Sequence, residues 1–330
     1  MAQKAYVVAL LSTLALSLAI PSGPASAQAG PPLTVRMMAL GTGIPFLITS
    51  AWKELNFDKK HNIELKVEAT GNLSGQWIAV RSGSADLVLG NFLDVLRQHK
   101  AGLKLQTFQF CYNYDDPIVT LANKPYGKLS DLKGVAVGVT RTTFLPVLLY
   151  RVAGKKAYGV DFVQESKISE ASPSLLPQML RTGQLEVTYS FRSLVFDDLL
   201  QKRAKEVVNL NQVLNDAGWS IPLTNYVLAD AWREKAGPQG VKRLAAAFAD
   251  LNQALRTQNA GWDAYAGLAK VDPKDRPAFQ ETFRKSLVSN YAPESLQKMQ
   301  EMLDAMVALV GAEIVGVTKV DPAAFDFKSL

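Results

Sequence analysis

Two short stretches of the chain could gather an anion. Gly41-Thr42-Gly43 stands directly before a helix that opens around Pro45, so backbone N–H groups at the helix start would face a negative group. Thr140-Arg141-Thr142-Thr143 takes the equivalent place later in the chain, between a strand and a helix, and adds a guanidinium. Hydroxyls, N–H groups and an arginine suit the oxygens of a small anion. Thr142 or Thr143 reads equally well as a plain helix N-cap. Arg192 is a second candidate clamp, and equally an ordinary ion-pair residue. Trp77, Phe92, Tyr112, Tyr114, Tyr189 and Trp219 cluster at other candidate loops, where rings would wall a site for an organic solute or simply pack. One carboxylate of Asp115-Asp116 could hold an amine; hydrogen bonding where the chain crosses over is the plainer account and is preferred.

Other chemistries find little support. The chain has one cysteine, Cys111, and two histidines, His61 and His99, so a disulfide within the chain and a Cys-rich metal site are excluded. No Ser-His-Asp set, metal-ligand spacing or paired-carboxylate arrangement is assembled, so no catalytic residue, no metal and no cofactor are expected. Gly41-Thr42-Gly43 begins like a dinucleotide fingerprint, but Phe46 stands where the third glycine belongs. Thirty-six basic and 30 acidic residues leave a formal charge of +6, scattered without a basic stripe, so no nucleic-acid partner is expected.

These residues need elements to position them. Hydrophobic residues make up 48% of the 330 and charged ones 20%, enough for one large or two medium domains. Residues 1–27 read as a secretory signal peptide: Lys4, an apolar run from Val7 to Ile20, and the Ala25-Ser26-Ala27 cleavage pattern. Cleavage would release an exported chain with no membrane insertion, since the run is shorter than a span of about 20 residues. From Leu33 onward, "LTVRMMAL", "IELKVEA", "ADLVLGN" and "LKLQTFQF" read as strands alternating with helices, an α/β pattern around a largely parallel sheet. The same order restarts at "PIVTLANK" and "VAVGVT", and the chain after "GWSIPLTNYVLADAW" becomes mostly helical. "RSGSADLVLGNF" at Arg81 returns as "RTGQLEVTYSFR" at Arg181, each a helix, a glycine cap, a tight turn and a strand. The acids Asp86 and Glu186 sit at the strand starts and read as structural. Asn91-Phe92 and Tyr189 through Arg192 lie at the carboxyl ends, where open α/β sheets collect ligands.

With "FDKKHNIELKV", "AVRSGSADLVLG", "GLKLQTF", "KLSDLKGVAVGV" and "MLRTGQLEV" in one exported chain, the sequence resembles periplasmic solute-binding proteins of ABC importers. The nearer likeness is to the branch that binds aliphatic sulfonates, taurine, nitrate and pyrimidine precursors. His61-Asn62 replaces that branch's glycine before Ile63, and Glu186 replaces its second aspartate. The resemblance spans about Thr34 to Ala269 and implies a two-lobed type II periplasmic binding fold. Lobe one would be 33–118 plus 225–330 and lobe two 119–224, with crossovers near Asp116–Leu121 and Pro222–Val227. It implies hinge closure on a small solute, with Thr42, Gly43, Trp77, Asn91, Phe92, Tyr112, Tyr114, Arg141, Thr142, Thr143, Tyr189, Arg192 and Asn225 as ligand-binding candidates. An alkyl or aryl sulfonate is the leading solute and a pyrimidine or similar heterocycle the second. The implied partner is a membrane permease with its ATPase, the implied state a periplasmic monomer. An enzyme on this fold and a partner of a sensory receptor are the rival readings.

Overall fold

In the computed structural model, residues 31–288 and 294–325 are described; the expected leader lies outside them. Two five-stranded sheets form the frame. The first runs in the order β2-β1-β3-β10-β4, with β1 Leu33–Leu40, β2 Ile63–Thr70, β3 Leu87–Asn91, β4 Leu105–Tyr112 and β10 Thr224–Ala229. The second runs β7-β6-β8-β5-β9, with β5 Pro117–Leu121, β6 Ala136–Val139, β7 Lys167–Glu170, β8 Val187–Tyr189 and β9 Ala204–Asn209.

Within each sheet four strands run in one direction, and one strand near the centre runs against its neighbours: β10 against β3 and β4, β5 against β8 and β9. The expectation of a largely parallel sheet therefore holds for four strands of each five. The antiparallel strands are the ones that enter from the other half. Asn113–Asp116 carries the chain from β4 into β5, and residues 217–223 carry it back from the Leu210–Asp216 helix into β10. Pro117 and Ile118 thus pair within the second sheet, and Thr224 within the first.

The doubled phrase takes the same position in both sheets. β3 and β8 each lie beside the first parallel strand of their half, after the helices Leu73–Arg81 and Leu176–Arg181. Asp86 accepts from the backbone N–H, Nε and Nη2 of Arg36, at 2.9, 2.9 and 2.6 Å. Glu186 accepts from the Tyr126 hydroxyl and from Lys124. Both acids tie a strand start to its surroundings, as their position suggests.

All five residues of β3 are buried, as a continuous apolar run inside a covered sheet should be. One face of the first sheet packs on Trp52, Phe57, Phe248, Trp262, Tyr265 and Phe279. The second core fills the space around the Leu145–Tyr158 helix. Met299, Met302, Leu303 and Met306 of the Ser295–Val310 helix are fully buried at i, i+3, i+4 and i+7 spacing, and that helix packs on Leu145–Tyr158. Each such side chain contributes about 1.5–3 kcal/mol by leaving water. Among the described residues no helix is long and apolar enough to cross a membrane.

Candidate functional site

The carboxyl ends of β1 and β3 in one sheet and of β6 and β8 in the other converge on two small cavities. Helix Gly43–Glu54 starts directly after β1, with Thr42 extended (φ −150°) and Gly43 left-handed (φ 69°), a conformation that favours glycine. Gly43, Ile44 and Pro45 wall the first cavity, about 30 Å³, together with Asn113, Asp115, Asp116, Arg192, Ser193, Tyr265, Phe283 and Ser286. A second cavity of about 20 Å³ lies between Gln76, Trp77, Gly90, Asn91, Asp94, Tyr114, Phe144 and Thr224. Leu40, Pro45, Tyr112 and Phe191 border both. Each has room for about one water-sized group.

Rings dominate the dividing wall. Tyr112, Tyr114, Phe144, Tyr189 and Phe191 make successive edge-on contacts at 5.7, 5.9, 6.0 and 6.2 Å. The ladder runs from the end of β4 across to the second sheet. Trp77 packs closely on Gly90, where a Cβ would come within 2.8 Å of two carbons of its ring, so glycine suits this approach. Burial pushes the phenols of Tyr112, Tyr114 and Tyr189 well above their usual pKa, so they stay protonated.

A charged cluster spans the two halves beside the second cavity. Asn91 caps the Phe92–Lys100 helix, accepting from the Asp94 N–H at 2.9 Å and donating to the Asp94 carboxylate at 3.0 Å. Asp94 also meets Arg97 at 3.2 Å and, across the cleft, Arg141 at 3.3 Å. Arg97 in turn donates to the Thr143 carbonyl at 2.9 Å and to the Val315 carbonyl at 2.8 Å. Two guanidiniums thus face one carboxylate. Arg141 Nε is buried without a hydrogen-bond partner, and its guanidinium lies 6.0 Å from the Phe144 ring.

The second cluster lies at the crossing from β4 to β5. Arg192 binds Asp115 and Glu206, each at 2.7 Å, and also donates to the Asp115 carbonyl. Asn209 and Asn211 complete the shell of Asp115. Asp116 accepts only from neutral donors, the Tyr189 hydroxyl at 2.9 Å and the Arg192 N–H at 3.0 Å. Burial pushes its carboxyl up to about 6 against the pull of those two hydrogen bonds, and nearby Asp115 adds to the rise.

The cavities bring together Gly43, Trp77, Asn91, Tyr112, Tyr114 and Arg192 of the expected set. Arg141 lines neither cavity; it reaches the second only through its contacts with Asp94 and Phe144, and Tyr189 stands behind the wall, hydrogen-bonded to Asp116. Thr42 lies instead in an open groove with Thr70 and Arg181. Thr142 is tied through N–H and hydroxyl to Glu170 at 2.6 and 2.8 Å, and Thr143 offers its carbonyl to Arg97. The helix expected at Thr142–Thr143 starts at Leu145, and neither threonine caps it. Pro146 at its second position removes one of the N–H donors an anion would use. Phe92 is core, and Asn225, fully buried inside β10, has both amide atoms unpartnered. Trp219 lines a separate groove with Tyr158 and Val207. His61 and His99 pair with Asp250 and Asp321, away from both cavities. Among the described residues no three His, Cys, Asp or Glu side chains gather as metal ligands.

Sequence reasoning missed Gln76, Asp94, Ser193 and Phe144. Asp94 carried a signal, since an acid three residues after an Asn is a helix-start pattern. The others had none, because only the tertiary fold brings them to the cleft.

No protein-family model and no curated protein matches the chain. Solved structures do match its fold. The alkanesulfonate-binding protein SsuA of Xanthomonas axonopodis pv. citri, bound to MOPS, superposes at a TM-score of 0.71 with 14% identity, covering 90% of this chain and 99% of that one. The periplasmic aliphatic sulphonate binding protein SsuA of Escherichia coli gives 0.68 with 15% identity over 89% and 92%. A Candida albicans protein with the generic periplasmic binding protein fold gives 0.62 with 12% identity over 86% and 93%. The chain therefore has the two-sheet α/β fold of periplasmic solute-binding proteins.

Proposed function

We propose that this chain is the exported solute-binding component of an ABC importer and that it closes on a small organic anion, with an alkyl or aryl sulfonate first. The observation that carries this reading is Arg141: a cation at the cleft, held by one long ion pair, with a buried Nε that has no partner. An anion bridging Arg141 to the first half would satisfy that donor and hold the halves together. The ring ladder and Trp77 would flank the organic part. The sulfonate binders that share the fold lend support.

Mechanistically, the halves (33–118 plus 225–330, and 119–224) would move apart about the two crossings to admit solute. Ligand contacts from both sides then stabilise the closed form over the open one. A permease and its ATPase in the membrane would receive the closed, periplasmic monomer. No step of this cycle makes or breaks a covalent bond, so the chain works as a binder and not as an enzyme.

A second reading, a pyrimidine or similar heterocycle, rests on Gln76. It is 2% exposed, its Oε1 has no partner, and it lines the second cavity beside Trp77. Thermal-shift screening of the mature chain against sulfonates, nitrate, carboxylates and heterocycles separates the two. Stabilisation by solutes bearing an anionic group supports the first. Stabilisation by heterocycles alone supports the second, and a shift with purely cationic solutes alone refutes both.

A further inference from the structure

We propose that the Ser295–Val310 helix is a strap that moves with the second half, and that Arg97 is the latch holding the strap's tail and the second half to the first in the closed form. The inference rests on the hinge motion proposed above. It needs no particular solute.

Three observations carry it. First, the helix packs on the half to which its chain position does not assign it. Met299, Met302, Leu303 and Met306 are fully buried, and the helix lies against Leu145–Tyr158, where Leu145, Leu148 and Leu149 are fully buried too. Second, the chain on either side of it is fastened to the first half. Before the helix, Leu287 bridges Tyr112 and the Val288 N–H donates to the Cys111 carbonyl at 3.2 Å. After it, Lys100 donates to the Gly316 carbonyl at 2.7 Å, Gln106 donates to the Ala323 carbonyl at 3.0 Å, and Phe325 bridges Thr107. Third, Arg97 stands where the three parts meet. Its guanidinium engages Asp94 at 3.2 Å on its own helix and the Thr143 carbonyl of the second half at 2.9 Å. It also donates to the Val315 and Ile314 carbonyls of the tail, at 2.8 and 3.2 Å.

These ties differ in kind. Parting the helix from Leu145–Tyr158 would bring its buried methionines into water, and the hydrophobic effect opposes this over the whole exposed area. Releasing the tail or the Thr143 carbonyl exchanges hydrogen bonds within the protein for hydrogen bonds to water, a smaller net change. Opening should therefore break the polar ties and keep the apolar ones. Two glycines flank the short Ala312–Val315 helix: Gly311 (φ 86°, ψ 153°) and Gly316 (φ 83°) hold left-side backbone angles that favour a residue without a Cβ. They give the chain two places to re-aim between the strap and its anchored tail. The body that swings is then 119–224 plus 295–310.

Pulsed electron-spin distance measurements on the mature chain test the inference. Lys156→Cys in the second half, Ala249→Cys in the first and Glu301→Cys on the strap are exposed labelling sites, used in pairs, while native Cys111 is buried. In Arg97→Met the distances from Ala249 to Lys156 and to Glu301 should lengthen together by about 2 Å or more, and the distance from Lys156 to Glu301 should stay within about 1 Å. Lys100→Ala, at an exposed contact, should move the same two distances the same way by less, and it serves should Arg97→Met fail to fold. Lengthening between Lys156 and Glu301, with Glu301 and Ala249 keeping their separation, overturns the strap. So do three unchanged distances in the variants that fold. Propanesulfonate added to an opened variant should shorten both lengthened distances again. If it does not, while the variants open as described, closure on a sulfonate fails and the strap stands.

Discussion

Replacing Arg141 by methionine removes the cleft-spanning cation while keeping most of its volume. Its partner Asp94 has a side chain 7% exposed and Arg141 one 30% exposed, and they meet at 3.3 Å. That geometry is long and half open to solvent, so the pair is worth about 1 kcal/mol, the upper end for exposed pairs. A bias of that size changes the closed-to-open ratio by about fivefold. The effect should be salt-dependent, because the charges lie partly in water, where screening acts over about 8 Å at physiological ionic strength. Small-angle scattering of the unliganded chain across a NaCl series should show the wild type opening as salt rises. Arg141→Met should be more open at low salt and nearly insensitive to it. Solute binding adds a sharper test. A hydrogen bond to a charged group contributes about 1.5–3 kcal/mol, so Arg141→Met should weaken propanesulfonate binding about 10- to 150-fold. Asp94→Asn breaks the same pair but frees Arg141, while Arg97 keeps the Thr143 and Val315 carbonyls. It should loosen closure to a similar degree yet bind propanesulfonate at least tenfold more tightly than Arg141→Met. Equal affinities in the two variants, or scattering curves unchanged from wild type at every salt concentration, would refute the role given to Arg141.

Three further outcomes are expected. Arg151 and Asp161 form a pair with side chains 4% and 5% exposed, so Arg151→Ala should cost about 3–5 kcal/mol by stranding a buried carboxylate, read as a drop in Tm of about 6–20 °C. Asp116 titrates near 6 when folded and near 4 when unfolded, so between those values the folded state holds a proton the unfolded state lacks. Urea unfolding should therefore show stability from this group falling by about 2–3 kcal/mol as pH rises from 4 to above 6, a slope that Asp116→Asn removes. Gly261 has φ of 74°, and a Cβ there would come within 2.7 Å of the Ala51 backbone nitrogen. Gly261→Ala should lower stability by about 1–3 kcal/mol in the same assay.

The frame was legible because its signals are local. β1, β3 and β6 are short apolar runs followed by turn residues, and the doubled phrase marks the same step in each half. β10 was harder. Thr224–Ala229 follows Pro222 with no turn pair or period-two pattern, and it becomes a strand because β3 and β4 flank it on both sides. The helix starts were half legible. Gly43 opens its helix at the cleft as expected, but Pro146 delays the second helix to Leu145 and leaves Thr142 to Glu170. Arg192 illustrates what sequence leaves undecided. Both readings, ligand clamp and ion pair, fit its position, and the neighbours that engage it, Asp115 before β5 and Glu206 within β9, are set beside it only by the tertiary fold.

In the proposed cycle the two charged clusters would take different parts in closure. Asp115, Arg192 and Glu206 join the crossing from β4 to β5 to the second sheet. Asp94 and Arg141, 3.3 Å apart, join residues after β3 to residues after β6, and in the proposed hinge motion they would meet only when the halves approach. An anion that engages Arg141 Nε need not displace Asp94 from Arg97, since those two residues share a helix at i, i+3 spacing. The same arginine would then face the solute and the opposite wall at once. Loss of either contact would be felt by the other, which is the physical content of coupling between solute capture and closure.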